Sequence, residues 1–143
     1  MPHRWLPGLT RADVAFRAEG ASLEEVFRAA WEATLEVMLP DTSCLRALER
    51  RQIELANPAA DLLLFDFLQQ LLFFKDAEGL LLRLGALSIE PGPGGLGLRA
   101  EAAGEAADAA RHELGTDVKA VTLHRFRLRR TNHKWQATVI LDV

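Results

Sequence analysis

Cysteine is almost absent from the sequence, with Cys44 alone among 143 residues. An intramolecular disulfide and a cluster of thiolate ligands are therefore excluded, which favours a reducing, cytoplasmic setting. Cys44 has no evident base beside it, so we interpret it as structural and not as a nucleophile. The histidines are scattered and lack the spacing of a zinc site. They are His3, His112, His124 and His133.

Long apolar runs and an excess of basic charge are also missing. The longest apolar stretch, 62–74, is interrupted by Asp66, Gln69 and Gln70 and is too short to span a bilayer. The first residues contain no apolar stretch of signal-peptide length. The net charge is −3, so no global positive field holds nucleic acid. We therefore expect neither a membrane nor DNA as partner.

What is present fits a globular protein. Apolar residues make up 49% of the chain and charged residues 26%. This length and composition predict one domain over 1–143 with a single core.

A first helix is predicted early in the chain. Ser22 and Glu25 form a capping box, in which each side chain satisfies an open backbone donor at a helix start. Apolar residues then recur at helical spacing over 23–38, and Pro40 ends the helix.

A second helix is predicted in the middle of the chain. Asn57 and Pro58 suit its start, with Asn57 as the cap. The segment 59–76 is apolar on most sides, so we expect this helix to be the most buried element, and Gly79 to end it.

Strand patterns fill much of the remainder. Residues 11–18 alternate, which places Val14 and Phe16 on a buried face and Asp13 on the opposite one. The segment 45–55 suits either a strand or a helix, and 103–117 is irregular. Further strands are predicted over 80–90, 96–102, 118–128 and 135–143, with hairpin turns at 91–95 and 131–134. The sum is an α+β fold of two helices packed on antiparallel strands in one layered domain.

Two local features are candidates for function. GPGGLG at 92–97 lacks the lysine and the strand–loop–helix context of a phosphate loop, so we interpret it as a hairpin turn. Basic residues cluster near the end of the chain, where Arg125, Arg127 and Arg129 share one strand face. That face is either a solvated or charge-protected sheet surface, or a patch for phosphate or an acidic partner.

The last two residues bring negative charges together. Asp142 lies beside the terminal carboxylate of Val143, and two such groups repel each other. A lysine or a hard cation would relieve the repulsion, and oxygen-only ligands favour Mg²⁺, Ca²⁺ or Mn²⁺. The alternative is a frayed, solvated end of the chain.

The sequence resembles the archease family over nearly its whole length. The matching segments agree in order and spacing: ADV at 12–14, SLEEVFRAAWEATLEVM at 22–38, DLLLFDFLQQLLF at 61–73, DAEGLLL at 76–82, RHEL at 111–114, TDVKAVTLH at 116–124 and LDV at 141–143. The stretch TDVKAVTLH together with the terminal LDV is the specific part of this match.

The resemblance implies a function and a set of site residues. Archeases activate the RtcB-type RNA ligase of tRNA splicing and RNA repair, promote guanylylation of the ligase histidine and allow multiple turnover, without being enzymes themselves. The ligase would be the direct partner, and RNA an indirect one. By this match Asp13, Asp142 and Val143 hold a divalent cation (Ca²⁺, Mg²⁺ or Mn²⁺), and Lys119 contributes to partner activation.

The chain departs from the family at one end of this site. The family reads DHTADV where this sequence reads LTRADV, so Leu9, Thr10 and Arg11 replace an acid, an imidazole and a threonine. A second acid is thus missing, and Arg11 adds a positive charge two residues from Asp13.

Two other functions stay open from the residues alone. The same carboxylates could hold a metal that activates water in a small phosphoesterase, with His124 as the candidate acid or base. A scaffolding or chaperone-like module without a metal site is the other alternative.

Overall fold

The computed structural model describes residues 3–6 and 13–143, which form two helices and seven strands in two antiparallel sheets. The helices are α1 (Leu23–Met38) and α2 (Ala60–Glu78), and a 3-10 turn covers Thr42–Cys44. The strands are β1 (His3–Leu6), β2 (Asp13–Gly20), β3 (Glu49–Asn57), β4 (Leu80–Gly92), β5 (Gly95–Ala106), β6 (Ala120–Thr131) and β7 (Lys134–Asp142). The predicted α+β fold class is confirmed.

The helices join the two sheets through one core. The first sheet has the strand order β1-β2-β7-β6 and the second the order β3-β5-β4. Helix α1 contacts β2 and β7 of the first sheet and β4 of the second, while α2 contacts β6 of the first and β3, β4 and β5 of the second. Among the residues that the structure describes, no helix is long and apolar enough to cross a membrane.

Helix α1 begins and ends where the sequence predicts. The Ser22 hydroxyl accepts from the Glu25 amide at 3.2 Å, which is the first bond of the predicted capping box, whereas the Glu25 carboxylate accepts at 2.5 Å from the amide of Ala21, one residue before the cap. Gly20 makes room for this start, since a Cβ there would lie 2.6 Å from the Val26 nitrogen.

The predicted cap of α2 is wrong. The helix begins after Ala59, which has no side-chain capping bond. Asn57 instead belongs to the end of β3, and its Oδ1 accepts from the Ala59 amide in the turn between strand and helix. The end is as predicted, because Gly79 adopts φ 68° and its amide donates to the Lys75 carbonyl.

Helix α2 is also not the most buried element. Nine of the sixteen residues of α1 are buried, against seven of the nineteen in α2. Leu62 and Phe73 are 42% and 53% exposed. The sequence of α2 carries more apolar residues than its core-facing stripe can bury, so a helix that is apolar on most sides still has a solvent face.

The strand boundaries refine the predictions in the second sheet. Residues 45–55, which were ambiguous, contribute β3, and its neighbour β5 extends through 103–106, which the sequence leaves irregular. Of the predicted turn at 91–95, only Pro93 and Gly94 lie outside the strands, because Gly92 pairs with Gly95. Gly104 allows the extension, since a Cβ there would come within 1.9 Å of the Leu81 carbonyl oxygen.

The first sheet agrees with most predictions and adds one strand. The β6–β7 hairpin turns at Asn132 and His133, whose φ angles of 48° and 66° suit the twist of a two-residue hairpin. The predicted strand over 11–18 appears as β2, with residues 11 and 12 outside the described part of the chain. Strand β1 has no counterpart in the sequence prediction. It pairs with β2, and His3 contacts the Glu36 carboxylate of α1 at 3.1 Å.

The buried carboxylate of Glu105 on β5 binds an arginine from each of two loops, one before β3 and one after β5. Glu105 is 4% exposed and accepts from the Arg46 amide at 2.6 Å and from the Arg46 guanidinium at 3.0 Å. Arg111 donates to the same carboxylate from the other side and to the Cys44 carbonyl. Burial opposes ionisation of Glu105, but the hydrogen bonds and charges of Arg46 and Arg111 outweigh it and lower its pKa from 4.5 to about 2.

We expect Glu105→Gln to remove a stabilisation that is present at neutral pH and is lost in acid. The folded-state pKa of Glu105 is depressed, so its contribution is present above pH 4.5 and is lost as the pH falls toward about 2. The variant should unfold at a lower temperature than wild type at pH 7, and the difference should shrink at pH 3. Thermal unfolding followed by circular dichroism at both pH values measures it. A difference that stays constant with pH would contradict the assignment.

Candidate functional site: an acidic edge of the first sheet

Asp13 and Asp142 lie directly opposite each other on adjacent strands. Asp13 of β2 pairs with Asp142 of β7, and both side chains are half-buried. Phe16 and Val139, three positions along each strand, also pair and are fully buried against the helices. Because strand side chains alternate, the two aspartates occupy the outer face of the sheet. Directly opposite residues have Cβ atoms about 5 Å apart, so the two carboxylates are neighbours.

Lys119 joins this edge through its main chain. Its amide donates to the Asp142 carbonyl at 2.8 Å, and the next residue, Ala120, pairs with Asp142 in the β6–β7 ladder. The Lys119 side chain is exposed, whereas Val118 beside it is fully buried. One end of β2, β7 and β6 therefore brings Asp13 and Asp142 together beside the main chain of Lys119, whose ammonium forms no ion pair with either aspartate among the described residues.

Val143 is held at the same edge. It follows Asp142, is half-buried and packs against the hydrophobic core. A packed last side chain argues against the frayed end that the sequence leaves as an alternative. The main chain of Val143 thus lies one residue from the Asp142 side chain.

The residues fit a hard cation by their chemistry. Asp13 and Asp142 supply carboxylate oxygens, the ligands that hard cations prefer, and neither forms an ion pair within the described part of the chain. No three His, Cys, Asp or Glu side chains come together there in a metal-binding group. A third protein ligand would be the carboxylate of Val143, which is a main-chain group. Leu9, Thr10 and Arg11, where the sequence departs from the family, lie outside the described residues.

Lys75 is a site residue that the sequence analysis missed. Its ammonium, on the last turn of α2, donates to the Asp117 carboxylate at 2.7 Å and to the Val118 carbonyl at 2.6 Å. Burial disfavours the ammonium, but the bonds to Asp117 and Asp76 outweigh it and raise the pKa of Lys75. Lys75 therefore fixes the main chain that leads into Lys119. A lysine in the last turn of a helix is also the ordinary complement of the helix dipole, so no separate signal for this role is present in the sequence.

We expect Lys75→Met to loosen the Lys119 segment. The substitution keeps the apolar stem and removes the hydrogen bonds to Asp117 and Val118 together with the ion pair to Asp76, which should lower the free energy of unfolding by about 1–3 kcal/mol. Hydrogen exchange of the Lys119 amide should become faster than in wild type. Lys134→Met, at an exposed position of β7, is the matched control and should change neither quantity. Equal exchange of the Lys119 amide in both variants would remove Lys75 from this role.

The other predicted candidates lie away from this edge. Cys44 donates to the Asp41 carbonyl within the 3-10 turn, in keeping with a structural residue. His124 is exposed in an irregular stretch of β6, between Thr122 and Arg127, where the pairing with β7 shifts register. The larger surface depressions, of about 470 and 660 Å³, lie on the outer face of the second sheet.

A comparison with known families and relatives gives consistent matches. Residues 9–143 match the model of the Archease protein family (MTH1598/TM1083). "Protein archease" of Methanothermobacter thermautotrophicus is 39% identical over 132 residues, which cover 92% of this chain and 93% of that protein. "Protein archease" of Pyrococcus abyssi is 33% identical over 141 residues, covering 98% and 99%.

Two solved structures share the fold. The solution structure of Methanobacterium thermoautotrophicum protein 1598 superposes with a TM-score of 0.85 at 36% identity and covers 99% of each chain. The Thermotoga maritima protein described as "an archease, possible chaperone" superposes with a TM-score of 0.66 over 96% of each chain. At 20% identity the second likeness shows the fold alone.

Proposed function

This chain belongs to the archease family, and we propose that it is a non-catalytic activator of an RtcB-type RNA ligase in tRNA splicing and RNA repair. It promotes guanylylation of the ligase and multiple turnover through its acidic edge. The observation that carries the proposal is the cross-strand pairing of Asp13 with Asp142, beside Lys119 and the end of the chain.

A divalent cation is the group that this edge would hold. Asp13, Asp142 and the carboxylate of Val143 supply oxygen ligands suited to Ca²⁺, Mg²⁺ or Mn²⁺. When bound, the cation supplies a concentrated positive charge that phosphate oxygens of a nucleotide can bind. The protein's own part is to keep the two aspartates in register on a rigid sheet and to hold the main chain of Lys119 against Asp142, with the Lys119 side chain exposed at the same end of the sheet.

The shape of the edge favours action through a partner. Asp13 and Asp142 lie on the sheet face turned away from the helices and keep part of their side chains exposed, so a second protein can reach them, and the larger depressions are on the other sheet. Asp142 pairs with Asp13 on one neighbouring strand and with Ala120 on the other. Neither partner is a histidine, so no imidazole stands directly opposite Asp142 to act as acid or base in hydrolysis. These features support an activator over a phosphoesterase.

The direct test measures covalent guanylylation of an RtcB-type ligase from radiolabelled GTP, with and without this protein. We expect the protein to raise both the amount of ligase–GMP and the number of RNA joints formed per ligase. The protein alone should incorporate no GMP and should hydrolyse no model phosphate ester. Unchanged guanylylation at a molar excess of the protein would contradict the proposal.

A further inference from the structure

A pocket lined by arginines opens on the outer face of the first sheet. Its volume is about 330 Å³. It is lined by Arg17, Arg125, Arg127, Arg129, Gln136 and Thr138. The sequence pointed to three of these arginines as a patch on β6, whereas Arg17 comes from β2, two strands away.

The strand register explains why these residues meet. Arg17 pairs with Thr138, and Thr138 pairs in turn with Arg127, so the three side chains form one row across β2, β7 and β6. Arg129 pairs with Gln136 in the next row on the same face. Arg125 belongs to the irregular stretch of β6 between Thr122 and Arg127, where its φ of 54° turns the chain. That bulge re-aims a side chain toward the pocket, a common use of such irregularities.

The guanidinium groups of this pocket have no internal counter-charge. None of the four arginines forms an ion pair with a described carboxylate, and the undescribed residues 1–2 and 7–12 contain no Asp or Glu. The nearby Glu19 carboxylate accepts from the side-chain Nε2 of Gln136 and does not line the pocket. The pocket therefore concentrates positive charge in a protein whose net charge is −3.

Arg17 is the least satisfied member of the set. Its Nε is buried and finds no acceptor among the described residues. On its other side it pairs with Arg4 of β1, and like charges directly opposite each other destabilise a sheet. A buried donor without an acceptor also lowers the stability of the folded protein. Both costs would be relieved by an anion seated in the pocket.

We propose that this pocket binds a phosphate group. A tetrahedral phosphate offers oxygens in several directions, which suits guanidinium forks that approach from β2 and from two positions on β6. A planar carboxylate has two oxygens and would leave some of these forks without an acceptor. The Thr138 hydroxyl at the centre of the row adds a neutral donor.

The phosphate pocket is separate from the acidic edge. Arg17 and Asp13 lie on the same face of β2 but four residues apart, a distance of about 13 Å along the strand. Binding at one site can therefore be tested without the other. The inference goes beyond ligase activation and does not depend on it.

The test follows the Nε–Hε cross-peak of Arg17 by ¹⁵N NMR in the full chain. Three probes distinguish the source of the phosphate: inorganic phosphate, GMP, and a short RNA oligonucleotide with a 5′-phosphate. We expect the Arg17 cross-peak to shift with at least one of them, and that probe identifies the source. R127Q/R129Q changes two exposed side chains and should weaken the binding at least about tenfold.

Matched controls separate a specific pocket from general charge. R83Q/R99Q removes two exposed arginines from the outer face of the second sheet and should leave phosphate binding unchanged. D13N should also leave it unchanged, while impairing the acidic edge. The proposal is overturned if no probe shifts the Arg17 cross-peak, if both arginine pairs weaken binding equally, or if an acidic peptide binds the pocket more tightly than every phosphate probe.

Discussion

Replacing Asp13 with asparagine should remove ligase activation at limiting divalent cation while making the metal-free protein slightly more stable. Asp13 faces Asp142 across the strand pair, and neither carboxylate has a counter-charge within the described residues. Like charges at directly opposite positions destabilise an antiparallel pair, so removing one should raise the free energy of unfolding by about 0.2–1 kcal/mol. The same change removes a proposed metal ligand.

Loss of a ligand should weaken metal binding strongly. Outer-shell partners of metal ligands alone change metal affinity on the order of 10–100-fold, and a direct ligand should matter at least as much. We therefore expect D13N to lose stimulation of ligase guanylylation at limiting divalent cation, with partial recovery as the cation is raised. EDTA added to wild type should reproduce the loss.

The assay needs both a charge control and a stability control. Glu90→Gln removes one exposed carboxylate from β4 in the second sheet by the same acid-to-amide exchange, and should stimulate the ligase as wild type does. Chemical denaturation without metal measures the predicted gain in stability. Stimulation by D13N equal to wild type would remove the carboxylate from the mechanism, whatever the outcome for stability.

The elements with local signals were the ones that the sequence predicted well. Ser22 and Glu25 define the start of α1 by themselves, and Gly79 marks the end of α2 through its left-handed backbone. Strand β1 has four residues, too few for alternation to be recognised, and its place depends on pairing with β2. The division of the strands into two sheets is likewise a property of long-range pairing.

In the candidate site, too, the residues that act through contacts distant in sequence were the ones that the sequence did not reveal. The closeness of Asp13 to the end of the chain was predicted, but only because the resemblance had already linked these residues. Lys75 and Arg17 were missed, since each acts through a partner distant in sequence: Lys75 through Val118, 43 residues on, and Arg17 through Thr138. The bulge that aims Arg125 has no glycine or proline to reveal it.

Trp31→Ala should destabilise the fold more than replacement of Asp13, Lys75 or Glu105. Trp31 is fully buried on α1, and its ring packs against Phe67 of α2 with centroids 4.8 Å apart. Its indole N–H donates to the Leu82 carbonyl of β4 at 3.0 Å. Truncating a buried Trp to Ala costs about 3–5 kcal/mol, because apolar contact is lost and a cavity is left.

The position of Trp31 links this loss to the function. The Trp31 side chain on α1 contacts both α2 and β4 of the second sheet. Helix α1 also packs against β2 and β7, the strands that carry Asp13 and Asp142. Total stability is about 5–15 kcal/mol for proteins in general, so a loss of this size removes a large share of it and raises the unfolded fraction at physiological temperature. Ligase stimulation should then fall through loss of folded protein.

Two further variants distinguish this explanation from a general effect of losing tryptophan. Trp5 on β1 is 44% exposed, so Trp5→Ala should cost much less than Trp31→Ala. Trp31→Phe keeps an aromatic ring in the core but loses the bond to Leu82, and should fall between the two. Urea unfolding followed by far-UV circular dichroism gives all three values. If Trp5→Ala were as destabilising as Trp31→Ala, the contacts of Trp31 with α2 and β4 would not explain the loss. The exposed Trp5 lacks these buried contacts, so only a general effect of losing tryptophan would then remain.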